Sequence, residues 1–137
     1  MGGGTIMKIS TKGRYALIMM IYIGRGYNDD RFVSLKEISN DTGISLKYLE
    51  KIMINLKKCD FFITSTGKDG GYKLKKNPSK YSIGEIIRAA EGNLDVVSCV
   101  GDEICPKKNM CSTYSLWEGL SKEINDYLDS KLLSNYL

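Results

Sequence analysis

The chain contains no histidine. The side chain most often used as a general base near neutral pH is therefore missing. No nucleophile elbow or phosphate-binding loop is present either, so the chain is not expected to be an enzyme. No apolar run reaches membrane-spanning length, and residues 7–20 are too interrupted by charge to be a signal peptide. The expected setting is a reducing cytoplasm with no membrane partner, where clustered cysteines mean metal or redox chemistry more often than cross-links. Cysteine itself is scarce. Only four are present, none spaced as the C-x2-C or C-x4-C knuckles usual for zinc ribbons and fingers.

What is there is enough for one domain and an appended element. The chain has 137 residues, 42% of them apolar and 26% charged, so a packed core rather than disorder is expected. The opening MGGGTI, residues 1–6, carries no pattern and reads as a tag remnant or an upstream start, with Met7 the natural beginning. The net charge of +4 conceals a division. Residues 1–80 hold 15 Lys and Arg against 7 Asp and Glu, whereas residues 81–137 hold 5 against 9. A basic first half is the electrostatic footprint of a nucleic-acid reader.

Cys99, Cys105 and Cys111 form a C-x5-C-x5-C run in a segment with almost nothing else able to build a core. A disulfide would use two of these thiols and strand the third. Thiolates are soft ligands, suited to iron–sulfur clusters, zinc or Cu(I). Three of them, with a fourth position left to something weaker, suit an iron–sulfur cluster best; the spacing does not fix its nuclearity, and 2Fe–2S is expected before 4Fe–4S. Cys59 has no neighbour of its kind in sequence and is expected to be a small buried hydrophobe.

The apolar spacing predicts the rest. A helix begins at Ser10 or Thr11 and runs to residue 23, apolar on every side in its second half, with Gly24 and Gly26 to stop it. Ser34 and Glu37 have capping-box spacing and open a short helix that Gly43 ends. A third helix, residues 45–58, carries an inward stripe of Leu46, Leu49, Ile52, Met53 and Leu56. Two helices around a glycine turn have helix-turn-helix spacing, in which the second enters the major groove by its N-terminal end. Its outward residues would be Ser45, Lys47, Tyr48, Glu50 and Lys51. Residues 61–66 and 72–76 read as a hairpin, the wing, which offers Lys68 at its tip and Lys73 on its return strand to phosphate. Ser82 and Glu85 form another capping box before a fourth helix. A last helix is predicted from about residue 112 to the C-terminus, with Leu116, Trp117, Leu120, Ile124, Tyr127, Leu128 and Leu132 in one stripe. So small a domain has little core left for that stripe. A second copy of the chain is expected to cover it, with Trp117, Leu120, Ile124 and Leu128 at the interface.

The segment MKISTKGRYAL at residues 7–17, the helix start GISLKYLE at 43–50, GGY at 70–72, the three cysteines and Leu116–Trp117 together resemble the IscR, NsrR and CymR type of dimeric winged-helix regulator. The resemblance runs in unbroken order from Met7 to about Leu128. It implies a mainly α fold with a small β-hairpin wing. A winged helix-turn-helix domain (7–90) would be followed by a cysteine loop (91–111) and a dimerisation helix (112–137). It implies a homodimeric repressor that binds a double-stranded DNA operator and senses cluster, redox or nitric oxide status, controlling iron–sulfur assembly genes. Iron–sulfur assembly or cysteine biosynthesis proteins would be further partners. Cys99, Cys105 and Cys111 would hold the cluster. Ser45, Tyr48 and Glu50 would lie on the recognition helix, where a carboxylate accepts from cytosine N4 or excludes a mismatched edge.

Two places depart from the pattern. Tyr114 stands where IscR-like members carry a histidine, and Arg14 stands where NsrR-like members offer an acidic ligand to the partner. The fourth ligand is left open among Tyr114, Asp102, Glu103, a carboxylate of the partner, and an exogenous thiol or water. Thr66 replaces a common wing arginine, so minor-groove contact would fall to Lys68. Two other readings are a zinc-bound or apo winged-helix regulator of cysteine and sulfur metabolism, and, from a different class, an iron–sulfur electron carrier. A carrier would have no need of the basic helix and wing.

Overall fold

The computed structural model describes residues 9–92 and 112–137. Cys99, Cys105, Cys111, Asp102 and Glu103 lie outside the described residues. Helix α1 is Thr11–Arg25, with the Ser10 hydroxyl accepting from the Gly13 amide at its start. Gly24, expected to stop the helix, is buried inside it. A Cβ there would come within 3.1 Å of the Leu137 side chain, so this glycine serves close approach, and Gly26 caps the end.

Helix α2, Leu35–Thr42, starts where Ser34 accepts from the Glu37 amide and ends at Gly43, whose φ of 78° is the left-handed conformation that glycine adopts without strain. The capping box is only half made. The Glu37 carboxylate takes Arg31 at 3.1 Å instead of turning back to the cap. Between α2 and α3 (Leu46–Lys57) the turn is tied by side chains. The Ser39 hydroxyl donates to the Ile44 carbonyl at 2.6 Å, and Thr42 Oγ1 donates to the Ile38 carbonyl while accepting from the Ile44 amide. These bonds set the angle at which α3 leaves the body of the domain.

The wing consists of β1, Phe62–Ser65, and β2, Gly71–Leu74, antiparallel with Phe62 opposite Leu74 and Ser65 opposite Gly71. Both strands are shorter than expected. Tyr72 also exchanges two 2.8 Å backbone bonds with Val33, which ties the hairpin to the segment before α2. Gly71 makes that docking possible. A Cβ there would collide with the Val33 carbonyl, and its φ of 150° is one that L side chains rarely adopt.

The core gathers Ala16, Met19 and Ile23 of α1 with Leu49, Ile52 and Leu56 of α3, all at most 1% exposed. Tyr81 closes it from below. Its hydroxyl donates to the Phe61 carbonyl at 3.0 Å and accepts from the Lys76 amide at 3.1 Å, and burial pushes its pKa above the usual tyrosine range. Helix α4, Ile83–Glu91, opens on a complete capping box between Ser82 and Glu85. Helix α5, Tyr114–Ser130, does not run to the C-terminus as expected. The chain reverses after it. Leu132 bridges to Ser82, the Leu133 amide bonds the Tyr81 carbonyl at 2.9 Å, and Leu133 is fully buried in its own chain's core. Arg88 joins α4 to α5, bonding Asn125 at 2.7 Å and pairing with Asp129.

Candidate nucleic-acid interface and dimer face

The first turn of α3 faces solvent. Lys47, Glu50 and Lys51 are exposed, and Ser45, also exposed, spends its hydroxyl on capping, accepting from the Tyr48 amide at 3.3 Å. Tyr48 is not the free outward side chain that the spacing suggested. It is half-buried, its ring edge-on to Tyr15 at 5.7 Å between centroids, so it braces α3 against α1. Leu46 departs in the other direction. Expected in the core stripe, it is 37% exposed, while Leu49, Met53 and Leu56 of the same stripe are 2% exposed or less.

Beside α3 the wing frames an open groove of about 570 Å³, lined among others by Lys36, Leu46, Glu50, Lys57, Thr64 and Thr66. Lys36 and Lys57 have no ion-pair partner among the described residues, and both are exposed. Neither is among the residues that the sequence pattern assigns to the interface. Lys57 was within reach of it, since residues 46, 50 and 57 share one side of a helix at 3.6-residue spacing. Lys68, at the wing tip next to Gly67 with its φ of 98°, is exposed as expected. Lys73 is not free. It pairs with Asp30, lies 5.2 Å from the Phe32 ring centroid, and its side chain is only 17% exposed. The loop between α1 and α2 has folded over the strand and taken up this cation. Cys59, expected to be buried, is exposed in the turn after α3, just before Asp60 adopts a φ of 58°.

Helix α5 has a single buried residue, Ser121. Trp117, Leu120, Ile124 and Leu128 are half-buried, while Leu116 and Tyr127 of the same helix are 58% and 61% exposed. An apolar hollow of about 200 Å³ lies between α1 and α5, walled by Leu17, Ile21, Ile83, Tyr127, Leu128 and Tyr136, with the Lys131 side chain also lining it. The over-apolar face of α1 and the stripe of α5 are thus left open together. At the other end of α1, the Glu91 carboxylate accepts from the Ser10 amide at 3.1 Å. It occupies the space that any side chain at residue 13 would need, which Gly13 leaves clear. The Tyr114 hydroxyl points along α5 to Glu118 at 3.5 Å. Among the described residues no group of three His, Cys, Asp or Glu could hold a metal; the three cysteines are not among them.

Residues 9–136 match the Rrf2 family, described as iron-dependent transcriptional regulators. The chain belongs to the Rrf2 family. It is similar to the HTH-type transcriptional regulator IscR of Yersinia pseudotuberculosis, 36% identical over 128 residues that make up 93% of this chain and 77% of the relative. Among solved structures it is similar to CymR, the global cysteine regulator of B. subtilis, at 34% identity and a TM-score of 0.74, with 93% of each chain covered. T. potens IscR matches at 32% identity and a TM-score of 0.74, covering 96% of this chain and 87% of that one. The helices and hairpin described above are therefore the Rrf2 winged-helix fold, and this Rrf2 chain is a DNA-binding transcriptional regulator rather than an enzyme. No described helix of this Rrf2 regulator is long and apolar enough to cross a membrane.

Proposed function

We propose that the chain acts in the cytoplasm as a homodimeric repressor that holds an iron–sulfur cluster and changes its hold on operator DNA with cluster, redox or nitric oxide status, controlling iron–sulfur assembly genes. The observation that carries the DNA half is the exposed first turn of α3 beside a groove rimmed by Lys36 and Lys57, which are unpaired among the described residues. Inserted in the major groove, that turn brings Lys47 and Glu50 to base edges, while Lys36, Lys57 and Lys68 neutralise flanking phosphates. Lys73 belongs to the fold of the wing rather than to the contact set, given its pairing with Asp30. Tyr48, braced by Tyr15, orients the helix.

The donor set fits a soft metal centre. Cys99, Cys105 and Cys111 are three thiols within thirteen residues, and they would be the cluster ligands. The fourth position stays open among Tyr114, Asp102, Glu103, the partner and an exogenous group. A cluster bound by three thiolates and one weaker ligand would supply a centre open to oxidants and nitric oxide. The likeness to CymR favours a second reading, an apo or zinc-bound regulator of cysteine and sulfur metabolism. Against it stands the cysteine triplet, which a purely apo regulator would not need.

The two apolar faces left open on α1 and α5 support the dimer, and a two-fold reader needs two recognition helices on two half-sites. Leu128→Glu would put a carboxylate into that apolar interface, and Lys131, which also lines the hollow, would offset only part of its desolvation. The variant should sediment as a folded monomer and bind a fragment of the protein's own promoter at least about tenfold more weakly than the parent, which is a loss of about 1.4 kcal/mol. A Leu128→Glu protein that remains dimeric would remove α5 from the interface. Equal affinity of the parent for its promoter and for an unrelated fragment would contradict sequence-specific regulation.

A further inference from the structure

We propose that Leu46 reads the C5-methyl group of a thymine in the operator, making it a specificity-determining residue of the recognition helix. The inference rests on the DNA-reading function proposed above and adds to it a residue and the chemical group it recognises. Leu46 is the first residue of α3, directly after the Ser45 cap, at the end of the helix that leads into the major groove. Its helical stripe is otherwise core, yet Leu46 alone of that stripe is substantially exposed, at 37%. The exposed part lines the groove between α3 and the wing, with Leu35 in the wall beside it and Glu50 one helical turn further on.

The surroundings narrow what can cover this side chain. The groove carries Lys36, Lys57, Ser34, Thr64 and Thr66, a basic and hydroxylated rim suited to a phosphate backbone on either side of an inserted base pair. Such a rim is poorly matched to an apolar protein partner, and the open apolar faces that suit a second copy lie elsewhere, on α1 and α5. A leucine cannot hydrogen-bond a base edge. The apolar group that the major groove offers is the thymine methyl, absent from the other bases. Leu46 would then select thymine by contact, while Glu50 selects or excludes by its carboxylate in the same half-site.

The test removes only the methyl group. A consensus duplex is selected by wild-type protein from a randomised library, and each thymine in it is replaced in turn by deoxyuridine. Withdrawing one methyl from apolar contact should weaken wild-type binding about fourfold at one position of each half-site. That loss should vanish in Leu46→Ala, whose affinity for the thymine and uracil duplexes should be equal, and persist in Leu46→Met, which keeps an apolar side chain. The scan on wild-type protein stands even if Leu46→Ala folds poorly. A flat uracil scan overturns the proposal, and so does a loss that survives unchanged in Leu46→Ala. A flat scan combined with a changed oligomeric state in Leu46→Ala would assign the residue to a protein contact instead. If no sequence is enriched from the library, the failure belongs to sequence-specific DNA reading itself, and this proposal falls with it.

Discussion

Protein purified and reconstituted without oxygen should be brown and carry iron and sulfide, and Cys99→Ala, Cys105→Ala or Cys111→Ala should each lose essentially all of both. The expectation is this severe because the chain has no histidine and only one further cysteine, and the neutral thioether of a methionine is a far weaker ligand than the thiolate it would replace. Cys59→Ala should keep the full complement. That cysteine is exposed at the end of α3, directly after Lys57 and Lys58, and is not part of the C-x5-C-x5-C run. The core described for residues 9–92 and 112–137 is complete in apolar side chains of those residues, so the variants should retain their helix content and dimer, which circular dichroism and sedimentation would verify. Wild-type protein that stays colourless after reconstitution would leave the zinc-bound or apo regulator standing.

Affinity for duplex DNA should fall by about 10³-fold or more as salt rises from roughly 50 to 200 mM, if a dimer neutralises six or more phosphates. The slope of log affinity against log salt should be about −0.9 for each neutralised phosphate. Lys36, Lys57 and Lys68 are exposed and unpaired among the described residues, so replacing any one by Ala should flatten the slope by about one unit for each phosphate no longer neutralised and weaken all sequences alike. Lys73→Ala should leave the slope nearly unchanged and lower the thermal midpoint instead, because Asp30 and the Phe32 ring already occupy that ammonium. Glu50→Ala should change which bases are preferred. A uniform loss across all sequences in Glu50→Ala would contradict its role as a selector.

Local chemistry made much of this fold legible in the sequence. Serines three residues before a free amide mark where α2, α3 and α4 begin, and Gly43 marks the turn, because capping and left-handed backbone depend on the nearest few residues. What covers a side chain is decided by elements far away in the chain, and there the periodicity misleads. Lys73 alternates outward on its strand, but the loop carrying Asp30 and Phe32 closes over it. Tyr48 lies on the outer side of α3, but Tyr15 of α1 stands beside it. Leu132 and Leu133 continue the apolar stripe of α5, yet the chain turns and spends Leu133 on its own core because Tyr81 and Ser82 offer backbone partners. Gly24 resembles a stop signal and is a packing residue, since the returning C-terminus lies against it. Lys36 and Lys57 needed the wing in place before they could be seen as the rim of one groove.

A cluster can regulate only to the extent that its presence favours one arrangement of the dimer over another. Under the proposed sensing, two sets of contacts in the described chain would carry a change in the cysteine segment to α3. At one end, Glu91 closes α4 immediately before Gly92, and its carboxylate holds the Ser10 amide at the start of α1, from which Tyr15 braces Tyr48 on α3. At the other end, α5 carries the face that would meet the partner, and Arg88 ties it back to α4. The most direct test is the affinity of cluster-loaded and cluster-free dimers, measured anaerobically at one salt concentration, for a fragment of the protein's own promoter. The two forms should differ by about tenfold or more, equivalent to about 1.4 kcal/mol. Identical affinities would contradict the sensor and leave the cluster a structural or electron-carrying group.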